Sequence, residues 1–178
     1  MAILTLCGVC FGCMLQPYSS VIAASKITRD IDGPYNHRKV VSSKLVMLSE
    51  TYNGPRFSFE LRGIIVDSSM EVQCTEFLWQ YLPMRTIFLT DENGVGSRRG
   101  IMLVATTQSA AVDVSTGKTR YAVENFQVLQ AMMVEDGLAK VDRTDTGHAF
   151  VEKLQQAEAE ARKKKVGMWR GADGDRRQ

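Results

Sequence analysis

The sequence predicts an α+β fold in which strands lead, one helix interrupts them and two helices close the chain. Two patterns carry this reading. Phe57, Phe59 and Leu61 alternate with Ser58, Glu60 and Arg62, the period-two signature of a half-buried strand. Farther on, Phe150, Leu154, Ala157 and Ala161 recur at helical spacing and form one apolar stripe. At 178 residues the chain is long enough for one domain with a sizeable core. Its 44% hydrophobic and 24% charged residues are those of an ordinary soluble globular protein.

The elements follow in order. Residues 29–39 are polar and turn-rich, with Asp32-Gly33-Pro34 as a strong turn signal, and read as a connection. Two strands are expected next, Lys44 to Leu48 and Arg56 to Val66, joined through Tyr52-Asn53-Gly54-Pro55, where Asn-Gly favours a hairpin. Ser68 and Glu71 have capping-box spacing for a helix. That helix would bury Val72, Phe77, Leu78 and Tyr81 and stop at Pro83. Thr86 to Thr90 and Gly100 to Thr106 read as strands around the Gly-rich turn Asp91 to Ser97. Residues 107–120 read as a loop or weak hairpin, with a short strand at Thr119 to Val123. A helix over Phe126 to Asp136 would bury Val128, Leu129, Met132 and Met133 and end at Gly137 as a left-handed cap. The last helix spans His148 to Lys165, with Glu158–Arg162 and Glu160–Lys164 at the favourable i,i+4 spacing.

The organisation has three parts: a hydrophobic segment 1–25, a folded domain 26–170 and a polar tail 171–178. The first 15 residues are apolar, too few for a comfortable transmembrane helix. They resemble a signal h-region, with Ala23-Ala24-Ser25 near a possible cleavage site, although no Lys or Arg precedes them. A retained strand or anchor is the alternative. The segment leaves the compartment open; a targeting or anchoring role favours an organelle such as the mitochondrion, or the secretory or membrane system, over plain cytosol, although the Arg-rich amphipathic character of a mitochondrial presequence is absent. Cys7, Cys10 and Cys13 lie in this segment without other ligands nearby, since the only histidines are His37 and His148. They read as small polarizable residues rather than a metal site. The net charge of +2 does not by itself argue for nucleic acid. The basic residues are unevenly placed, at Arg98-Arg99 and Arg162-Lys163-Lys164-Lys165, and these six are the candidate nucleic-acid contacts. A solvated helix end explains the second group equally simply.

Strands first, an inserted helix and two closing helices is the order of a five-stranded OB-type barrel with about three helices. Specific residues sharpen this. Val134-Glu135-Asp136-Gly137-Leu138-Ala139-Lys140-Val141 resembles the stretch of staphylococcal nuclease-like (thermonuclease-like) proteins in which a helix ends at Gly and enters Leu-Ala-Lys-Val. Ala157 to Lys165 followed by Val166-Gly167-Met168-Trp169 resembles that family's closing helix and final Trp. Upstream, Leu61-Arg62-Gly63-Ile64 and Gly96-Ser97-Arg98-Arg99-Gly100-Ile101 resemble the strands that carry its two catalytic arginines.

The resemblance implies a calcium-dependent phosphodiester hydrolase, with carboxylates on calcium, a Glu that activates water, two arginines on the phosphate and tyrosines on the nucleotide. This sequence meets that pattern poorly. Ser42-Ser43-Lys44-Leu45 stands where the first metal carboxylate is expected. In one register Arg62 is the catalytic arginine and Asp67 the metal carboxylate, with Met70 in place of the Glu. In the other, Glu60 replaces the arginine and Ile65 the aspartate. Arg99 matches in both. Asp142-Arg143-Thr144-Asp145 follows Leu-Ala-Lys-Val where tyrosines are expected. Arg62 and Arg99 are therefore remnant catalytic candidates and Asp67 a remnant metal candidate.

The expectation is a non-catalytic module that needs no cofactor and serves as a scaffold or nucleic-acid-binding subunit of a larger assembly, with protein partners favoured over single-stranded RNA or DNA. Two alternatives stay open. One is an active calcium-dependent nuclease using Asp67, Glu71, Arg62 and Arg99. The other is a membrane-anchored structural subunit, with residues 1–15 in contact with lipid.

Overall fold

In the computed structural model the described residues are 21–23, 31–83, 85–90, 98–112 and 119–170. The apolar segment 1–15 with its three cysteines, the turn 91–97 and the tail 171–178 lie outside them. The strands are β1 (Val21–Ala23), β2 (Ile31–Val40), β3 (Leu45–Ser49), β4 (Arg56–Leu61), β5 (Ile64–Ile65), β6 (Thr86–Thr90), β7 (Arg99–Val112), β8 (Thr119–Val128) and β9 (Lys140–Val141). The α-helices are α1 (Glu71–Tyr81), α2 (Leu129–Glu135) and α3 (Val151–Lys164).

Strands β7, β4, β3, β2 and β6 neighbour one another in that order, and β6 pairs back onto β7. This closes a five-stranded barrel and leaves those strands no unpaired edge. The closing β4–β7 contact is parallel and short, Glu60 opposite Arg99 and Leu61 opposite Gly100, whereas β2–β3, β3–β4, β2–β6 and β6–β7 are antiparallel. Beyond the barrel, β7 continues into a long hairpin with β8, and β1 adds to the outer edge of β8. Val21–Ala23, at the end of the hydrophobic N-terminal segment, is thus part of the sheet.

Inward residues on the strands make the core. Val46, Leu48, Phe59, Leu61, Ile87, Ile101 and Leu103 are all buried, which follows from the alternation seen in β3 and β4. Removing each such Leu or Ile side chain from water contributes about 1.5–3 kcal/mol. Met132 and Met133 are fully buried, as are Val128 and Leu129. On α3, Leu154, Ala157 and Ala161 face the core as their spacing requires, and Phe150 is buried beside them. Gly137 sits at φ +68 after α2, where a side chain would strike the backbone of Val166; its carbonyl accepts from the Met168 N–H at 2.9 Å. That contact locks the end of α2 to the end of α3.

Several expectations need correction. Residues 31–40 are a strand, not a connection: β2 is hydrogen-bonded on both sides, to β3 and β6, and the polar Asp32-Gly33-Pro34 turn signal becomes a register irregularity between Asp32 and Tyr35. Pairing partners outweigh local turn chemistry there. The strand expected over Arg56 to Val66 breaks at Arg62-Gly63, where Gly63 takes φ +77, and the chain resumes as β5 against β9. Ser68 makes no cap: Ser68–Met70 forms a 3-10 turn, Met70 is the N-cap of α1, and neither end has a side-chain capping bond. Within α1, Cys74 and Leu78 are buried while Val72 is 66% exposed. Of the two readings of residues 107–120, the hairpin holds for the described part, since 107–112 continue β7 and pair with β8 from Thr119 on; Phe126–Val128 end β8 rather than start α2.

Candidate functional site

The break after β4 sets the site. Gly63 is wedged beneath the start of the C-terminal helix: a Cβ there would lie 2.6 Å from His148 Nε2 and 3.0 Å from Leu154 Cδ1. Its carbonyl accepts from the Asp142 N–H at 3.0 Å and its own N–H donates to Asp145 at 3.1 Å. The turn 142–145 therefore clasps Gly63 from both sides. Within that turn the Asp142 carboxylate takes the Thr144 N–H at 2.9 Å and the Thr144 hydroxyl at 2.6 Å. Those bonds lower the Asp142 pKa.

Arg62 projects into this turn. Its Nε donates to Asp145 Oδ2 at 3.0 Å, and its Nη2 pairs with Oδ1. The pair is nearly enclosed, with side-chain exposures of 13% for Arg62 and 11% for Asp145. The Arg62 hydrogen bonds hold the Asp145 carboxyl below the ordinary carboxylate range, against the opposing effect of burial, with help from the Arg62 charge and the Gly63 N–H. Arg99, half exposed, reaches the same carboxylate at 3.9 Å and Glu60 at 3.8 Å. Lys44 lies 3.9 Å from Glu60. Lys44, Glu60, Arg62, Arg99 and Asp145 thus form one continuous charged cluster at the β4–β7 closure. Backbone bonds fix its base: Gly100 O accepts from the Arg62 N–H at 3.1 Å and from buried Gln130 at 2.9 Å, and Gln130 also accepts from the Met102 N–H at 3.1 Å.

The remaining candidates lie apart. Asp67 is engaged by Lys140, with Nζ 2.9 Å from Oδ1. Glu71 is exposed at the start of α1, and Met70 is partly buried against the core. Among the described residues no group of three or more His, Cys, Asp or Glu side chains is placed to hold a metal ion. The donor set does not fit calcium, a hard cation that needs several convergent oxygens. The one carboxylate in the metal register already faces an ammonium group, and Lys44 stands at the other expected position.

Arg98 is exposed at the start of β7. Arg162 is exposed too, but lies over the Trp169 ring at 4.0 Å and pairs with buried Glu158 at 3.5 Å. Lys164 faces Glu135 at 3.9 Å; Lys163 and Lys165 are exposed. The two basic groups occupy separate places, one on the barrel and the other at the end of α3. Of the aromatics considered for stacking on a nucleotide, Phe59 is buried and Phe57 packs edge-on against Tyr35; the Tyr121 side chain lies outside the described residues. Sequence reasoning missed Asp145 as a site residue. Its Arg62 partner is 83 positions away, and the only signal was an acid where an aromatic was expected.

The family model described as staphylococcal nuclease homologue matches residues 109–171. Over that stretch the chain is similar to staphylococcal nuclease homologues, and its barrel and helices are consistent with a staphylococcal nuclease-like domain. The match spans β8, α2, β9 and α3, and so includes Gly137, the 142–145 turn and Trp169. Arg62, Asp67 and Arg99 fall before the matched stretch. No curated protein matches the chain.

Proposed function

We propose that this nuclease-like domain works without catalysis, as a structural subunit that engages protein partners within a larger assembly. One observation carries the reading: Lys140 Nζ sits 2.9 Å from the Asp67 carboxylate, which supports Asp67 as an ion-pair partner rather than a metal ligand. Phosphodiester hydrolysis of the metal-assisted kind needs an ion to polarise the phosphate and a base to generate the nucleophile. Met70 offers no base, and Glu71 faces solvent at the start of α1.

Protein contact is favoured over nucleic acid by the outer face of α1. Val72 and Trp79 are 66% and 49% exposed at i,i+7 spacing, and Glu71 and Glu76 are exposed on the same helix. Half-exposed Trp is a frequent anchor of protein interfaces. Acids around it repel a phosphate backbone. The test is a cleavage assay of the purified chain on single-stranded RNA and DNA with calcium over about pH 7 to 9.5. No cleavage is expected. Calcium-stimulated cleavage that disappears in Arg99→Ala would overturn the reading, and salt-dependent binding to single-stranded RNA would move the role to nucleic acid.

A further inference from the structure

Three kinds of N–H converge on one internal carboxylate at the barrel closure. Arg62 supplies two side-chain donors, Gly63 a backbone amide, and the Arg99 guanidinium lies 3.9 Å from the same Oδ2. Two guanidiniums and an inward-facing amide form an oxyanion pocket by their chemistry alone. Planar guanidinium forks match carboxylate and phosphate oxygens equally well. The groups are set by different parts of the fold: Arg62 and Gly63 by the break after β4, Arg99 by the start of β7, and Asp145 by the turn after β9. A surface ion pair would need none of this enclosure.

We propose that Asp145 is a built-in occupant of this pocket, a carboxylate that keeps Arg62 and Arg99 closed to phosphate from outside. The ligand class it excludes is a tetrahedral phosphate oxyanion, carried either by a small phosphate or by a nucleic-acid strand. Access is from the Arg99 side, because Arg99 is half exposed while Arg62 is enclosed. The plug is braced from behind. Asp142 is tied to Thr144 and to Gly63 O, and Arg143 is paired with buried Glu158 on α3, so the turn cannot swing out without loosening its hold on that helix. External anions therefore compete with a neighbour present at high effective concentration.

This inference deepens the non-catalytic reading, and its test reads anion affinity rather than cleavage, so the two fail separately. Asp145→Asn removes the charge and keeps an acceptor for Gly63. Calorimetry with inorganic pyrophosphate, and separately with a short single-stranded oligonucleotide, compares this variant with the unaltered chain. The variant is expected to bind at least one of the two about tenfold more tightly. Which arm responds identifies the source of the phosphate. The gain must vanish in Asp145→Asn/Arg99→Ala. A gain that survives loss of Arg99, or no gain in either arm, overturns the proposal. Should the variant be largely unfolded in buffer, pyrophosphate or the oligonucleotide must restore its circular dichroism where sodium chloride of equal ionic strength does not. A variant that stays unfolded with both phosphates also overturns it.

Discussion

Truncating Asp145 to Ala isolates what the enclosed pair contributes to stability. The substitution removes two Arg62 hydrogen bonds and one from Gly63, and it leaves a guanidinium only 13% exposed without that carboxylate. Exposed ion pairs contribute about 0–1 kcal/mol. Breaking an enclosed pair by removing one partner costs about 3–5 kcal/mol, because the remaining charge stays desolvated. The geometry places Asp145→Ala in the second class, a large part of a total stability of about 5–15 kcal/mol. Urea denaturation followed by circular dichroism measures it. Replacing both partners, Arg62→Met with Asp145→Leu, should recover most of the loss, since no charge is then left enclosed. The pH dependence has a defined sign. The Asp145 pKa is lowered in the fold, so its contribution is complete above the unfolded value near 3.9 and is lost as pH falls through the folded value. A loss under about 1 kcal/mol for Asp145→Ala, with no change in acid sensitivity, would refute the reasoning.

Other outcomes follow from the same structure. Burial first, and then Glu135, push the Asp136 pKa up to about 6, with Lys164 opposing. The folded state therefore holds this proton more tightly, and stability falls as pH rises from about 4 to about 6. Asp136→Asn should stabilise the domain at pH 7 by about 1–2 kcal/mol once its partial exposure is allowed for, and have no effect below pH 4, as read by urea midpoints. Gly63→Ala should lose about 2 kcal/mol or more in the same assay, because it combines φ +77 with a Cβ 2.6 Å from His148. Burial pushes the Cys74 thiol up to about 12, so it should resist iodoacetamide at pH 8 until the protein is unfolded by urea.

The parts of the fold legible in the sequence are those where local and tertiary forces agree. The alternation around Phe59, the α3 stripe through Leu154 and Ala157, and Gly137 as a left-handed cap each say locally what the packed molecule also requires. Where the two disagree, the sequence misleads. Residues 31–40 carry turn-forming residues, yet strands on both sides recruit them into β2. Phe126-Gln127-Val128 is too short a stretch for its period to distinguish strand from helix, and pairing with β7 and β1 decides it. The candidate site was legible as a set of residue types but not as a set of partners. Arg62, Arg99 and Asp67 stood out because the resemblance marked them. That Asp145 meets the arginines and Lys140 meets Asp67 depends on contacts 83 and 73 positions apart, which no local pattern encodes.

The position of these pairs explains how the barrel remains closed. The barrel closes through β4 and β7, whose parallel contact is only two residue pairs long, and one of these sets Glu60 opposite Arg99. A junction with so few backbone bonds needs side-chain support. Arg99 bridges Glu60 on its own barrel to Asp145 on the C-terminal turn, while Arg62 and Gly63 fasten that turn from the β4 side. Lys140 on β9 does the same for Asp67, just beyond β5. These charged groups join the barrel to the helical part. Anion capture and closure therefore draw on the same donors. A phosphate that displaces Asp145 must also replace its bonds to Arg62 and Gly63, or the junction between β4, β7 and the 142–145 turn loosens as the pocket opens.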